Sequence, residues 1–259
     1  MPLAQKILLV VATVPLGVIL IFSAIAVSIL ALFAVKRFAP RGILGQHTEL
    51  TASIFEAVGM AYTVMLAFMV VVSWQNFDRT SAHVASEANE LMNLYRDSEA
   101  FPDDFREKIR TALKEYYALV TNEEWELLAR GEESEKARKA LMRLWEVYVG
   151  FEPKTENEII FLTESVTNLN DLREARSLRL IDSRTGINSV LWFILIVGGI
   201  ATIFITFFFE ADNLAYHALV VSVLAGMIML ILLAILLFDY PFTGDINIPV
   251  EMYKGIAGF

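Results

Sequence analysis

Cysteine is absent from the 259-residue chain, which excludes a disulfide framework, a thiolate zinc site and a cysteine nucleophile. Histidine is scarce, and His47, His83 and His217 lie too far apart to show metal-ligand spacing. Basic charge is outweighed, with 21 Lys and Arg against 30 Asp and Glu. The net charge of −9 argues against nucleic acid as a partner, because phosphate binding needs a basic face. No phosphate-cradling glycine loop, nucleophile elbow or paired-histidine zinc helix occurs. No acidic residue has a His or Ser partner at a telling spacing, so the sequence supports neither an enzyme nor a bound cofactor or metal.

What the chain has in excess is apolar length. Its residues are 56% hydrophobic, with a mean hydropathy of +0.54. The apolar residues fall into four blocks, and the charged ones gather between them. Ile7–Val35 is a run of 29 residues without a charge, longer than the roughly 20 that cross a bilayer. Tilt, an extra turn outside the lipid, or a kink near Pro15 and Gly17 is therefore expected. Ala24-Ile25-Ala26 lies mid-run and the block exceeds a signal-peptide core, so it reads as an uncleaved anchor. Ala57–Trp74, Ser189–Phe209 and Ala218–Phe238 each approximate one crossing. Trp74, Trp192, Tyr216 and Tyr240 sit at block ends, where amphipathic rings favour the headgroup level. Gly198, Gly199, Ala201 and Thr202 give the third span a small-residue face for close helix packing.

The expected fold is all-α: an integral membrane protein with four transmembrane helices and a helical cytoplasmic domain inserted between the second and third spans. Residues 1–74 hold spans one and two, 75–188 the inserted domain, 189–239 spans three and four, and 240–259 a cytoplasmic tail. The orientation rests on Lys and Arg near the span ends. A cytoplasmic amino terminus puts seven inside (Lys6, Arg79, Arg173, Arg176, Arg179, Arg184 and Lys254) and three outside (Lys36, Arg37 and Arg41). Both termini are thus assigned to the cytoplasm, although the first loop runs against the rule.

Within the inserted domain, the second span continues from Trp74 to Glu99 without Pro or Gly. Pro102, followed by Asp103 and Asp104, suits the start of a new helix. Phe105, Ile109, Leu113, Tyr116, Tyr117 and Val120 then recur at helical spacing. A helix over Glu133–Val149 places Leu141, Leu144, Trp145 and Tyr148 on one face, between breaks at Gly131 and at Gly150 and Pro153. A last helix from Thr155 carries Ile159, Leu162, Val166, Leu169, Leu172 and Ala175. Residues 75–188 hold 23 acids and 16 bases, a net −7. Ordinary solubility accounts for that surface, and a cation-concentrating vestibule is the sharper alternative.

Among candidate functional residues, Met60, Val64 and Phe68 recur at i, i+4 and i+8, forming one axial stripe on the second span. Ringed around an axis, such a stripe would be an apolar constriction, although lipid contact explains the spacing equally well. Glu56, at the start of that span and near Glu49, is a candidate for a polar path, the alternative being a hydrated interfacial acid. Asp239 closes the fourth span, and His217 is read as an interfacial loop residue.

Two stretches carry a family resemblance. Ala57-Val58-Gly59, Val64-Met65-Leu66-Ala67-Phe68 and Trp74-Gln75-Asn76-Phe77-Asp78, continued by Glu87-Ala88-Asn89 and Leu94-Tyr95-Arg96, resemble the second-helix signature of the bacterial bestrophin-like membrane domain family. Asp239-Tyr240-Pro241-Phe242-Thr243-Gly244-Asp245 resembles its closing motif. The likeness spans about residues 50–250. It implies a distant relation to bestrophins, pentameric ion channels whose second helix forms the pore neck, and it places that neck on Met60, Val64 and Phe68. Thr63, Asn76, Arg37 and Arg41 then join Glu56 as candidates for the pore mouth or polar path, and Asp239, Pro241, Phe242, Gly244 and Asp245 mark the closing motif. Only Phe68 of the three neck residues is aromatic. The acidic cluster of calcium-gated bestrophins is replaced by Ile246-Asn247-Ile248, so calcium gating is not expected.

The resemblance implies an oligomeric channel of the bacterial inner membrane, a homo-oligomer in the lipid bilayer, pentameric by likeness, passing small inorganic ions and favouring anions. The alternative is a non-conducting scaffold or sensor whose acidic helical domain binds a partner. A carrier would require an ionisable group buried mid-span, for which Glu56 is too near the end.

Overall fold

The computed structural model describes residues 3–38, 48–209, 211 and 213–258. The described residues are helical, without strands, in the order α1 (Leu3–Val10), α2 (Thr13–Phe38), α3 (Thr48–Asp97), α4 (Asp103–Leu119), α5 (Trp125–Leu128), α6 (Glu135–Val149), α7 (Glu156–Arg184), α8 (Ser189–Thr206), α9 (Leu214–Asp239) and α10 (Val250–Ala257). Four helices are long and apolar enough to cross a membrane, their apolar stretches lying in α2, α3, α8 and α9.

The first apolar block is two helices rather than one kinked span. The chain breaks at Val11 and Ala12, and α2 restarts so that Pro15 falls in its first turn. The missing proline N–H costs nothing there, since the first four helical donors have no internal partner. α3, by contrast, runs unbroken for 50 residues, because neither Gly nor Pro occurs between Met60 and Asp97. Pro102 sets the start of α4. Ser134 caps α6 by accepting from the Ala137 N–H at 3.1 Å. Thr155 and Glu158 form a reciprocal capping box at the start of α7.

The chain divides into two compact units. One comprises Val10–Gln75 and Ile187–Asp239. In it α2 packs along α9, and α8 packs on α9. Tyr62, Leu66 and Met69 of α3 bury against Leu195, Ile228 and Ile235. The small-residue face of the third span fits this contact. A Cβ on Gly198 would lie 2.7 Å from the Tyr62 ring, and one on Gly199 would lie 2.7 Å from its hydroxyl. That hydroxyl donates to the Leu195 carbonyl at 2.9 Å. His217 lies within α9 rather than in a loop, buried, with Nε2 2.9 Å from the Thr206 carbonyl. The first turn of α9 brings the ring back to the end of α8.

The other unit comprises Met1–Leu9, Asn76–Gly186 and Tyr240–Phe259. Its core joins Val84, Ala88, Leu91 and Leu94 of α3 to Ile109, Leu113 and Tyr116 of α4, Leu141 and Leu144 of α6, Leu169 and Leu172 of α7, and Tyr253 of α10. Two positions depart from the expected faces. Trp145 is 42% exposed and Ile159 is 53% exposed. Trp145 lies four residues after the buried Leu141 and three before the buried Tyr148, on the margin of the α6 stripe. Ile159 sits in the first turn of α7, before that helix reaches the core. A five-residue π-helical turn, Val120–Glu124, interrupts the path from α4 to α5.

Candidate functional site

On α3, Tyr62, Leu66, Met69 and Ser73 are buried within the protomer, and the opposite side of the helix is not. Met60, Val64 and Phe68 occupy that open side, with exposures of 73%, 65% and 65%. Glu56, one turn earlier on the same i+4 line, is exposed, as is Thr63 beside it. Exposure alone does not single out α3, because Phe193 on α8 is 66% exposed as well. The carboxylate does: α8 has no charged residue from Ser189 to Thr206, while the α3 line opens on Glu56 where the apolar stretch begins. The structure therefore aligns Glu56, Met60, Val64 and Phe68 on one strip of one helix.

The other predicted residues fall elsewhere. Arg37 is exposed in the last turn of α2, and Arg41 lies outside the described residues. Lys36 donates to the Phe209 carbonyl at 2.8 Å, so its ammonium ties α2 to the residues after α8. Asn76 accepts from Arg79 Nη2 at 3.0 Å on the next turn of α3.

The closing-motif residues are structural ties. Asp239 ends α9 and accepts from the Ile187 N–H at 2.6 Å and the Trp192 indole N–H at 3.2 Å, which fixes the entry into α8. In the other unit, Phe242 meets Trp125 edge to face. The Pro241 carbonyl accepts from the Ile248 N–H at 2.8 Å, closing a loop in which Gly244 takes φ +81°. Thr243 donates to the Ala129 carbonyl at 3.0 Å, the same oxygen that Gln5 of α1 reaches at 3.0 Å. Asp245 is exposed in this loop. No group of three or more His, Asp or Glu able to hold a metal ion occurs among the described residues.

A second cluster was not anticipated from sequence. Arg179 of α7, with no solvent exposure, donates to Glu87 of α3 at 2.5 and 3.0 Å and to Glu124 of the π turn at 2.7 Å. Arg176 adds a 2.6 Å bond to Glu124. Tyr116 and Tyr253 donate to Glu87 at 2.7 and 3.3 Å. Glu124 also accepts from the Ser134 N–H at 3.1 Å. Four charges and two phenols thus join α3, α4, the π turn, α7 and α10. Burial pushes the Glu124 carboxyl up, but Arg179 and Arg176 outweigh it and hold the group below the usual range. Burial, then the Glu87 charge, drives both the Tyr116 and Tyr253 phenols well above theirs. Two arginines in the sequence-based orientation count, Arg176 and Arg179, are therefore buried ion-pair partners rather than surface charges. The available signal was their i, i+3 spacing among the apolar Leu169, Leu172, Ala175 and Leu180 of α7.

Residues 21–253 match the Bestrophin-like domain. No curated protein matches the chain. Among solved structures, a bacterial bestrophin homologue from Klebsiella pneumoniae aligns with a TM-score of 0.69 at 15% identity, covering 93% of this chain and 95% of that one. A variant described as the same kind of protein from that organism aligns at 0.70 and 15%, covering 93% and 96%. A structure described only as a membrane protein aligns at 0.71 and 14%, covering 92% and 94%. At these identities the structural likeness is one of fold.

Proposed function

The chain belongs to the family of bestrophin-like domains, and on that premise we propose that this membrane protein is the protomer of an oligomeric ion channel whose α3 helices line an apolar neck at Met60, Val64 and Phe68. The observation that carries the reading is the strip on α3. Three large apolar side chains at consecutive i+4 positions are open in the protomer, and a carboxylate heads them at the lip of the span. A shared water-filled axis accommodates all four side chains, with the carboxylate hydrated at its mouth. A ring of such side chains narrows and dewets a pore, which is a sufficient gate.

In this reading five copies assemble, by resemblance to bestrophins, in the bacterial inner membrane. Residues 75–188 and both termini lie in the cytoplasm, and small inorganic ions are the substrate. Resemblance implies that the ions are anions.

Purified protein reconstituted in planar bilayers under a salt gradient is expected to give unitary currents. Silence from protein shown to be folded and oligomeric would contradict conduction and favour a scaffold that recruits a partner through its acidic helical domain.

A further inference from the structure

A cavity of about 490 Å³ lies between α6 and α7, wholly within the unit that contains Asn76–Gly186. Small-molecule sites run from roughly 300 to 1,000 Å³, so the space suits one ligand of modest size. Leu141, Leu169 and Leu180 form a buried apolar floor. Trp145 and Met142 of α6 also line it, and both are left open, at 42% and 52% exposure. Trp145, which departs from the buried stripe of α6, thus contributes its indole to this cavity. An indole is a broad apolar surface on which another planar group stacks.

The charged groups around the floor are ordered by sign. Arg173 and Arg176, three residues apart on α7, both line the cavity. Arg176 is 6% exposed, and its Nε and Nη2 donate to Glu124 at 3.3 and 2.6 Å. Its Nη1 has no partner among the described residues. Arg173 is exposed, and its guanidinium forms no hydrogen bond or ion pair among the described residues. Arg138, on the α6 side, is already engaged by Glu135 through two bonds. The acids stand at the rim. Glu146 lies about 140° around α6 from the buried Leu141 and is exposed, and Glu133 faces Arg184 at 4.0 Å.

We propose that the cavity between α6 and α7 binds a small organic monoanion, a carboxylate carried on a planar apolar body. The body lies on the leucine floor against the Trp145 indole, and the carboxylate accepts from Arg173 and from Arg176 Nη1. The free guanidinium of Arg173 offers a planar fork that matches a carboxylate. Arg176 is already braced by Glu124, so little side-chain freedom is lost when it donates to the ligand. Glu133 and Glu146 at the rim repel a second negative charge, which disfavours a phosphate monoester. The site lies apart from the α3 strip and holds whether or not the protein conducts.

The test uses the full chain in detergent at its native oligomer size, with its four tryptophans replaced by 5-fluorotryptophan and 2-naphthoate as the probe. Trp145→Phe assigns the Trp145 fluorine resonance. Titration with 2-naphthoate should shift that resonance saturably and leave the Trp125 resonance in place. The neutral 2-naphthalenemethanol should bind roughly tenfold more weakly, the low end for losing a charged hydrogen bond. Arg173→Gln, a surface change, should weaken 2-naphthoate by a similar factor and leave the neutral compound unaffected. Equal binding of the two compounds, or native affinity in Arg173→Gln, would overturn the anion assignment. A Trp145 resonance that does not move, as when a second copy or detergent fills the cavity, would overturn the site itself. No current is measured, so either failure is separate from that of the channel reading.

Discussion

Glu124 has no exposed surface, yet its carboxyl stays ionised below the usual range because two guanidinium groups outweigh the cost of burial. A lowered native value stabilises the fold above the ordinary glutamate titration near pH 4, and that contribution is lost as pH falls through the native value. Tyr116 and Tyr253 act in the opposite sense. Their raised values stabilise the fold below about pH 10, and the benefit disappears as rising pH ionises the unfolded phenols first and then the native ones. Denaturant unfolding of the purified protein should therefore give a stability plateau from about pH 5 to about pH 10, falling on either side. A loss centred between pH 6 and 8 would contradict these assignments. Sequence signalled Glu87 only as part of a family motif, and it signalled Glu124 not at all. Partners 92 and 55 residues from Arg179 in the chain leave no local pattern to read.

Arg179 is where several elements depend on one another, since its bonds tie α3 and the π turn to α7 and its guanidinium lies 5.6 Å from the Trp125 ring. Arg179→Met keeps much of the length and apolar stem but leaves Glu87 and Glu124 without their shared counter-charge. Breaking a buried pair in this way costs about 3–5 kcal/mol. The midpoint of thermal unfolding should fall by several degrees, and an unchanged midpoint would show that the network contributes little. The elements themselves were largely legible. Helical spacing and the breaks at Pro102, Gly131, Gly150 and Pro153 place α4, α6 and α7, and the lack of Gly and Pro after Gly59 gives α3 its length. The π turn was not legible, because one extra residue per turn leaves no mark in an apolar pattern that resumes beyond it. Nor was the break at Val11 and Ala12, where the sequence remains apolar while the backbone separates α1 from α2.

For the whole molecule, the four apolar helices and the all-helical class could be read from hydrophobic block lengths, because spanning a bilayer imposes so strict a length. The neck is different in kind. The spacing of Met60, Val64 and Phe68 defines a strip on α3, and the protomer leaves that strip open, but what faces it is a property of the assembly. The absence of cysteine from the chain makes the direct measurement simple. Val64→Cys and, as a comparison, Phe193→Cys are each reconstituted in bilayers and exposed to a water-soluble, charged thiol reagent. A water-filled axis lined by α3 predicts modification of Val64→Cys with most of its current blocked, and no effect on Phe193→Cys. Equal responses at the two positions, or a Val64→Cys channel that the reagent leaves unchanged, would contradict it.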